Sequence, residues 1–181
     1  AIWPWDNSIT ADGLGRLFLA IYGDATMNAY RESDGGLLWS QPLHAQPLSF
    51  NAVHDGHVFI ADTSGYVYCF EAATGTLVWE TKVGGVCDIS SPTLSGGLLF
   101  IGTRDEADGS LLALSETTGE ILLRYGTGCS ITAPPSVAVG LMFCGSDGWN
   151  AYAFDIGDGL GEWSLHRYDS WNTAYSPAGL S

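Results

Sequence analysis

The residues with the most chemical potential are His54-Asp55-Gly56-His57, where two imidazoles flank a glycine turn. Imidazole nitrogen is a ready ligand for zinc, but a structural zinc site needs four ligands. The sequence places no third or fourth ligand beside this pair, so it reads as a solvated hairpin turn and no metal is expected. His44 and His166 have no identifiable partner either. Asp155-Ile-Gly-Asp158-Gly159 has the outline of a calcium loop but lacks the alternating oxygen ligands and the closing Glu of the twelve-residue type. Asp155 is better suited to bonding turn amides. Asp105, Glu106 and Asp108 make an acidic loop tip. Recognition residues concentrate on such loops, so Asp105 and Asp108 are candidate ligand contacts, with a solvated loop as the plainer reading.

No constellation for covalent or phosphoryl chemistry is present. There is no Gly-x-Ser-x-Gly elbow and no Gly-Lys-Ser/Thr phosphate loop. Gly126-Thr-Gly-Cys-Ser130 lacks the GxGxxG spacing and opens no helix. No catalytic residue is assigned on these grounds. Trp149 follows Gly148 in a turn-rich stretch. An exposed ring there can stack on a sugar or a protein partner, whereas a buried one packs its own unit.

The elements that must position these residues are set by a repeat. Ala29 to Trp39, Cys69 to Trp79, Ala113 to Leu123 and Ala153 to Trp163 follow one pattern, with glycines at 35, 75, 119 and 159. The steps between glycines are 40, 44 and 40. A constant period of this size marks an array of identical supersecondary units. Each period holds four short apolar runs cut by turn residues, as in Leu98–Ile101, Gly109, Ser110–Leu114 and Thr118-Gly119. Four short strands in about forty residues predict a blade of an all-β propeller. No stretch keeps a helical apolar spacing for a dozen residues. The expected blades are residues 8–39, 52–79, 91–124 and 133–163, with 164–181 as a tail packing on the last blade or leading to a further domain.

Gly35, Gly75, Gly119 and Gly159 each supply the positive φ that the turn into the fourth strand requires. Trp39, Trp79 and Trp163 then provide a large flat ring at a fixed place in each blade, to fill the gap between neighbours that cannot bury their faces alone. Leu123 stands in the third repeat, which predicts a weaker or differently packed contact there.

The run A-x-D-x-x-T-G-x-x-x-W, following S-P-x-x-x-G-x-x-[FY]-x-G, resembles the tryptophan-docking blade of the quinoprotein-type (PQQ-like) β-propellers over residues 8–163. That family includes quinone-dependent alcohol dehydrogenases, an outer-membrane protein-assembly lipoprotein and many secreted repeat proteins. Dehydrogenase membership would imply a quinone with calcium. The vicinal cysteine pair typical of those enzymes is absent here. The segment Glu162 to Pro177 is similar to one that flanks the blades of secreted members. The resemblance therefore implies an extracytoplasmic scaffold or protein-interaction module without cofactor. A subunit of a quinone-dependent dehydrogenase and a carbohydrate-binding propeller remain the alternatives.

The chain has 181 residues and only four repeats, half of the usual family ring. It reads as part of a longer protein, as half of a ring completed by a second copy or another chain, or as a four-bladed closure. A formal charge of −14, from 20 acidic and 6 basic residues, argues against nucleic acid and anionic membranes as partners. No apolar run is long enough to span a bilayer as a helix. Cys87 and Cys129 occupy equivalent points of successive links, each five residues before a proline. A disulfide between them is expected, as suits a secreted, periplasmic or cell-surface protein. Cys69 and Cys144 lie in strand runs and read as buried apolar side chains.

Overall fold

The structure, a computed structural model, describes residues 9–87, 90–104, 109–138, 140–156 and 164–168. They form four antiparallel sheets of four strands, each sheet in sequence order. The first contains β1 (Ile9–Ala11), β2 (Arg16–Ile21), β3 (Thr26–Arg31) and β4 (Leu37–Pro42). The second contains β5 (Ala52–His54), β6 (His57–Ala61), β7 (Tyr66–Glu71) and β8 (Leu77–Lys82). In the third are β9 (Thr93–Ser95), β10 (Leu98–Gly102), β11 (Ser110–Ser115) and β12 (Ile121–Gly126). The fourth holds β13 (Ser136–Ala138), β14 (Leu141–Ser146), β15 (Asn150–Asp155) and β16 (Ser164–Tyr168). The first strands touch in series, β1 to β5, β5 to β9 and β9 to β13. The sheets are thus propeller-like blades.

The core lies between blades rather than within them. Along β6, Val58 and Ile60 pack toward the first blade, while Phe59 and Ala61 pack toward the third. Along β10, Leu99 and Ile101 meet the second blade, while Leu98 and Phe100 meet the fourth. A strand buried on both faces has no polar alternation, which is why these runs read as continuous apolar segments. The terminal blades keep the period of two. In β2, Phe18 and Ala20 are buried while Leu17, Leu19 and Ile21 are half-buried. In β14, Met142 and Cys144 are buried while Phe143 is 38% exposed.

The repeated motif fixes how each blade joins the next. Ala29 pairs with Trp39, Cys69 with Trp79 and Ala113 with Leu123, each pair beside a register shift. The turn glycines Gly35, Gly75 and Gly119 have φ of 69°, 73° and 71°. Their N–H groups close the turn onto Arg31, Glu71 and Ser115 carbonyls at 2.8 Å. The Trp39 indole lies against Gly75 of the next blade and its Nε1–H donates to the Ala72 carbonyl at 3.0 Å. Trp79 repeats this on Gly119, donating to the Glu116 carbonyl at 2.9 Å. Leu123 has no donor to offer and sits half-buried against the third inter-blade core.

The fourth blade departs from the spacing. Its last strand is Ser164–Tyr168, within the segment read as a tail, and the residue opposite Ala153 is His166. In register terms His166 holds the position of Trp39, Trp79 and Leu123. The sequence pattern stops at the motif's last aromatic, whereas strand pairing follows a connection of eight residues, 156–163, that the other blades lack. Trp163 and Gly159 themselves lie outside the described residues.

Candidate interaction surfaces and an inter-blade histidine cluster

Among the described residues, blade four keeps one sheet face only partly covered, with Ala153 buried on it. Phe143, Gly145 and Ala151 are exposed on it, at positions where blade two buries its equivalents Phe59, Ala61 and Val67. At the other end, Leu17, Leu19 and Tyr30 of blade one are half-buried, where the equivalents Val58, Ile60 and Phe70 are fully covered. The two incompletely covered faces are opposite sides of the same repeat. One is the side that every blade turns to its successor, and the other is the side it turns to its predecessor.

Trp149 closes the β14–β15 hairpin. Its N–H donates to the Ser146 carbonyl at 3.1 Å, as Gly65 does to Asp62 in blade two. Gly65 has φ 80° and Trp149 has φ 62°. A bulky residue in the left-handed region is strained, and such strain persists where the surroundings impose it. The indole is 89% exposed, so it does not pack the fourth blade. Below it, Cys129 Sγ lies where a side chain on Gly148 would sit, at 2.7 Å from an ideal Cβ.

The corresponding hairpin of blade two is built differently. Asp62 is buried and its carboxylate accepts from Ser64 N–H at 2.9 Å, Ser64 hydroxyl at 2.7 Å and Tyr66 N–H at 3.1 Å. Its other oxygen accepts from Ala45 N–H at 3.0 Å and Tyr68 hydroxyl at 2.6 Å. Burial and the bond to Asp62 push the Tyr68 phenol well above its ordinary value. Asp62 thus ties the β6–β7 turn to the link from blade one.

A cleft of about 400 Å³ between blades two and three is lined by His54, His57, Cys69, Gly97 and Glu116. His54 and His57 are direct cross-strand partners at the β5–β6 turn. His54 Nδ1–H donates to the Glu116 carboxylate at 2.5 Å, across the blade boundary. That hydrogen bond, and then the carboxylate charge, hold the His54 pKa above its ordinary value against partial burial. His57 Nδ1–H donates to the Asp55 carbonyl at 2.9 Å. Glu116 is only 12% exposed. Its N–H donates to Gly97 O at 2.9 Å and its carbonyl receives the Trp79 indole. Burial pushes the Cys69 thiol up to about 12, so it stays protonated. A second cleft, of about 550 Å³, lies on the side of the links and is lined by Gly84, Gly85, Thr103 and Arg124.

The expected cysteine pairing does not form: among the described residues there is no disulfide. Cys87 is buried in the core between blades two and three, whereas Cys129 packs on Gly148 of blade four. Equivalent points in successive links face successive boundaries, so their sulfurs are kept apart. Cys69 and Cys144 are buried as expected. Asp105 and Asp108 lie outside the described residues. Glu116 was missed because it falls at an unremarkable motif position, and only the stacking of blades brings it to His54. No group of three His, Cys, Asp or Glu side chains able to hold a metal gathers among the described residues.

The family model described as outer membrane protein assembly factor BamB matches residues 23–128 and 90–179. A tetrathionate hydrolase from Acidithiobacillus ferrooxidans is 36% identical over 86 residues, 48% of this chain and 16% of that protein. The outer membrane protein assembly factor BamB of Taylorella asinigenitalis is 33% identical over 99 residues, 51% of this chain and 25% of that protein. The crystal structure of BamB from Moraxella catarrhalis superimposes with a TM-score of 0.72 at 19% identity, covering 90% of this chain and 53% of that one. The chain therefore matches a quarter or less of these two curated relatives and about half of the solved BamB chain.

Proposed function

The chain belongs to the family described as outer membrane protein assembly factor BamB, and on that premise we propose that it is an extracytoplasmic propeller scaffold that binds other protein chains and performs no catalysis of its own. The carrying observation is the contrast in burial between the middle and terminal blades. Blades two and three are apolar and covered on both sides, while β14 leaves Phe143 38% exposed and β2 leaves Leu17 and Leu19 only half-buried. Exposed apolar sheet of this kind invites association. Its natural occupant is another blade of the same repeat, supplied by the rest of a longer chain, by a second copy or by another chain. Each incompletely covered face repeats one that a neighbouring blade covers elsewhere in the molecule.

Trp149 supplies a second contact point on this reading. A rigid indole that is 89% exposed has a large apolar surface to give to a partner at little entropic cost. The acidic balance of the chain favours partners with a basic surface. The test is site-specific photocrosslinking from positions 19, 143 and 149 in cells of the source organism. Adducts with a propeller chain at 19 and 143, and with a protein at 149, support the reading. Labelling by solvent alone at all three sinks it.

A further inference from the structure

The β5–β6 hairpin carries a feature that scaffolding does not require. Asp55 and Gly56 have φ of 43° and 76°, the two left-handed residues of a tight hairpin turn. The turn sets His54 directly opposite His57, both lining the cleft between blades two and three. Cross-strand partners have Cβ atoms about 5 Å apart, so the two side chains leave the backbone from adjacent positions on one face of the hairpin.

Each imidazole is also held in one tautomer. A carboxylate and a carbonyl can only accept, so the bonds to Glu116 and to Asp55 O place the proton on Nδ1 of both rings. The lone pair of each neutral ring is therefore on Nε2. An imidazole whose Nδ1–H is held by a carboxylate or backbone carbonyl is the arrangement that orients histidine toward a metal and raises its basicity. Glu116 is itself fixed by backbone bonds to Gly97 and Trp79.

We propose that His54 and His57 form a two-histidine site for a divalent transition metal of the zinc, nickel or copper class, with Glu116 as a positioning residue from the neighbouring blade. Nitrogen ligands suit these ions and not calcium or magnesium. His54 is 58% exposed, so water can complete the coordination from the open side. Because Glu116 belongs to blade three and the histidines to blade two, the bound ion strengthens that boundary.

The test is calorimetric titration of the full chain with zinc chloride at neutral pH, with thermal unfolding as a second readout. One equivalent of zinc is expected to bind and to raise the unfolding temperature. His54→Gln and His57→Gln should each weaken binding by at least about tenfold, and Glu116→Ala by about ten- to a hundredfold. His44→Gln, which alters the exposed histidine paired with Glu80, should leave affinity unchanged. No binding at millimolar zinc, or affinity retained in both histidine variants, overturns the proposal. Should a variant unfold, nitrogen NMR of the wild-type rings decides. Zinc must shift Nε2 of both His54 and His57, and shifts confined to other histidines overturn the site.

Discussion

Replacing Gly75 with Ala tests the docking of one blade on the next, and Gly35 provides the control. Both glycines occupy the same turn, with φ of 73° and 69°. A Cβ added at Gly35 meets nothing within 4 Å. At Gly75 it would lie 2.6 Å from Trp39 Cδ2 and 2.8 Å from Cε3 and Cγ. Gly35→Ala should therefore cost only the left-handed backbone, about 1–2 kcal/mol. Gly75→Ala adds the displacement of a ring packed between Phe18 and Phe70, at centroid distances of 5.9 and 6.2 Å. Overpacking of this kind costs about 1–3 kcal/mol more. It also pulls the indole N–H from Ala72 O, worth about 1 kcal/mol. The assay is urea unfolding followed by circular dichroism, with the chain dilute enough to be monomeric. Trp39→Ala alone should cost about 3–5 kcal/mol. In that background Gly75→Ala should fall back to about 1–2 kcal/mol, the backbone cost alone. Equal costs for Gly35→Ala and Gly75→Ala, or strict additivity of Gly75→Ala with Trp39→Ala, would refute the docking argument.

Asp62→Ala should destabilise the chain by about 3–5 kcal/mol in the same assay, since it strands the buried Tyr68 hydroxyl and the Ala45, Ser64 and Tyr66 amides. Asp12 supplies an acid-sensitive contribution: partial burial opposes its ionisation, but bonds from Arg16 and from the Leu14 and Arg16 amides outweigh this and hold its pKa below 3.8. A depressed carboxyl stabilises above its unfolded pKa and loses that contribution as pH falls through the folded value. The advantage of wild type over Asp12→Asn in thermal unfolding should thus be full at about pH 6 and decline as acidification protonates the Asp12 carboxyl. Among the thiols, Cys69 and Cys144 are pushed up to about 12 by burial, whereas Cys129 is half-exposed. Iodoacetamide at pH 8, followed by peptide mapping, should label Cys129 in the native protein and reach Cys69 and Cys144 only in denaturant.

Much of the fold was legible because the same solution is written several times. Thr-Gly and Asp-Gly turns, each followed by an apolar residue at a fixed spacing, specify both a positive φ and an inter-blade filler. Gly75 with Trp39 and Gly119 with Trp79 show the two acting together across a boundary. The fourth blade was harder to read because its strand resumes at Ser164, after a longer connection than the repeat predicts. The sites were less legible than the blades for a related reason. Periodicity says which residues are equivalent, not which are brought into contact from successive repeats. The equivalence of Cys87 and Cys129 suggested a bond, yet equivalence places them at different boundaries. Glu116 and His54 are 62 residues apart and not equivalent, and they meet at 2.5 Å. Trp149 could not be placed from sequence, because a tryptophan beside a turn glycine suits burial and exposure equally.

The most direct test of the scaffold account is the mass of the 181-residue chain in solution, alone and after incubation with extract of its source, by native mass spectrometry. One chain is 19.2 kDa. The account predicts a heavier particle, either two copies or one copy with another propeller chain, which Phe143→Asp dissociates without unfolding the blades. A particle of 19.2 kDa at every concentration, unaltered by Phe143→Asp, would contradict it.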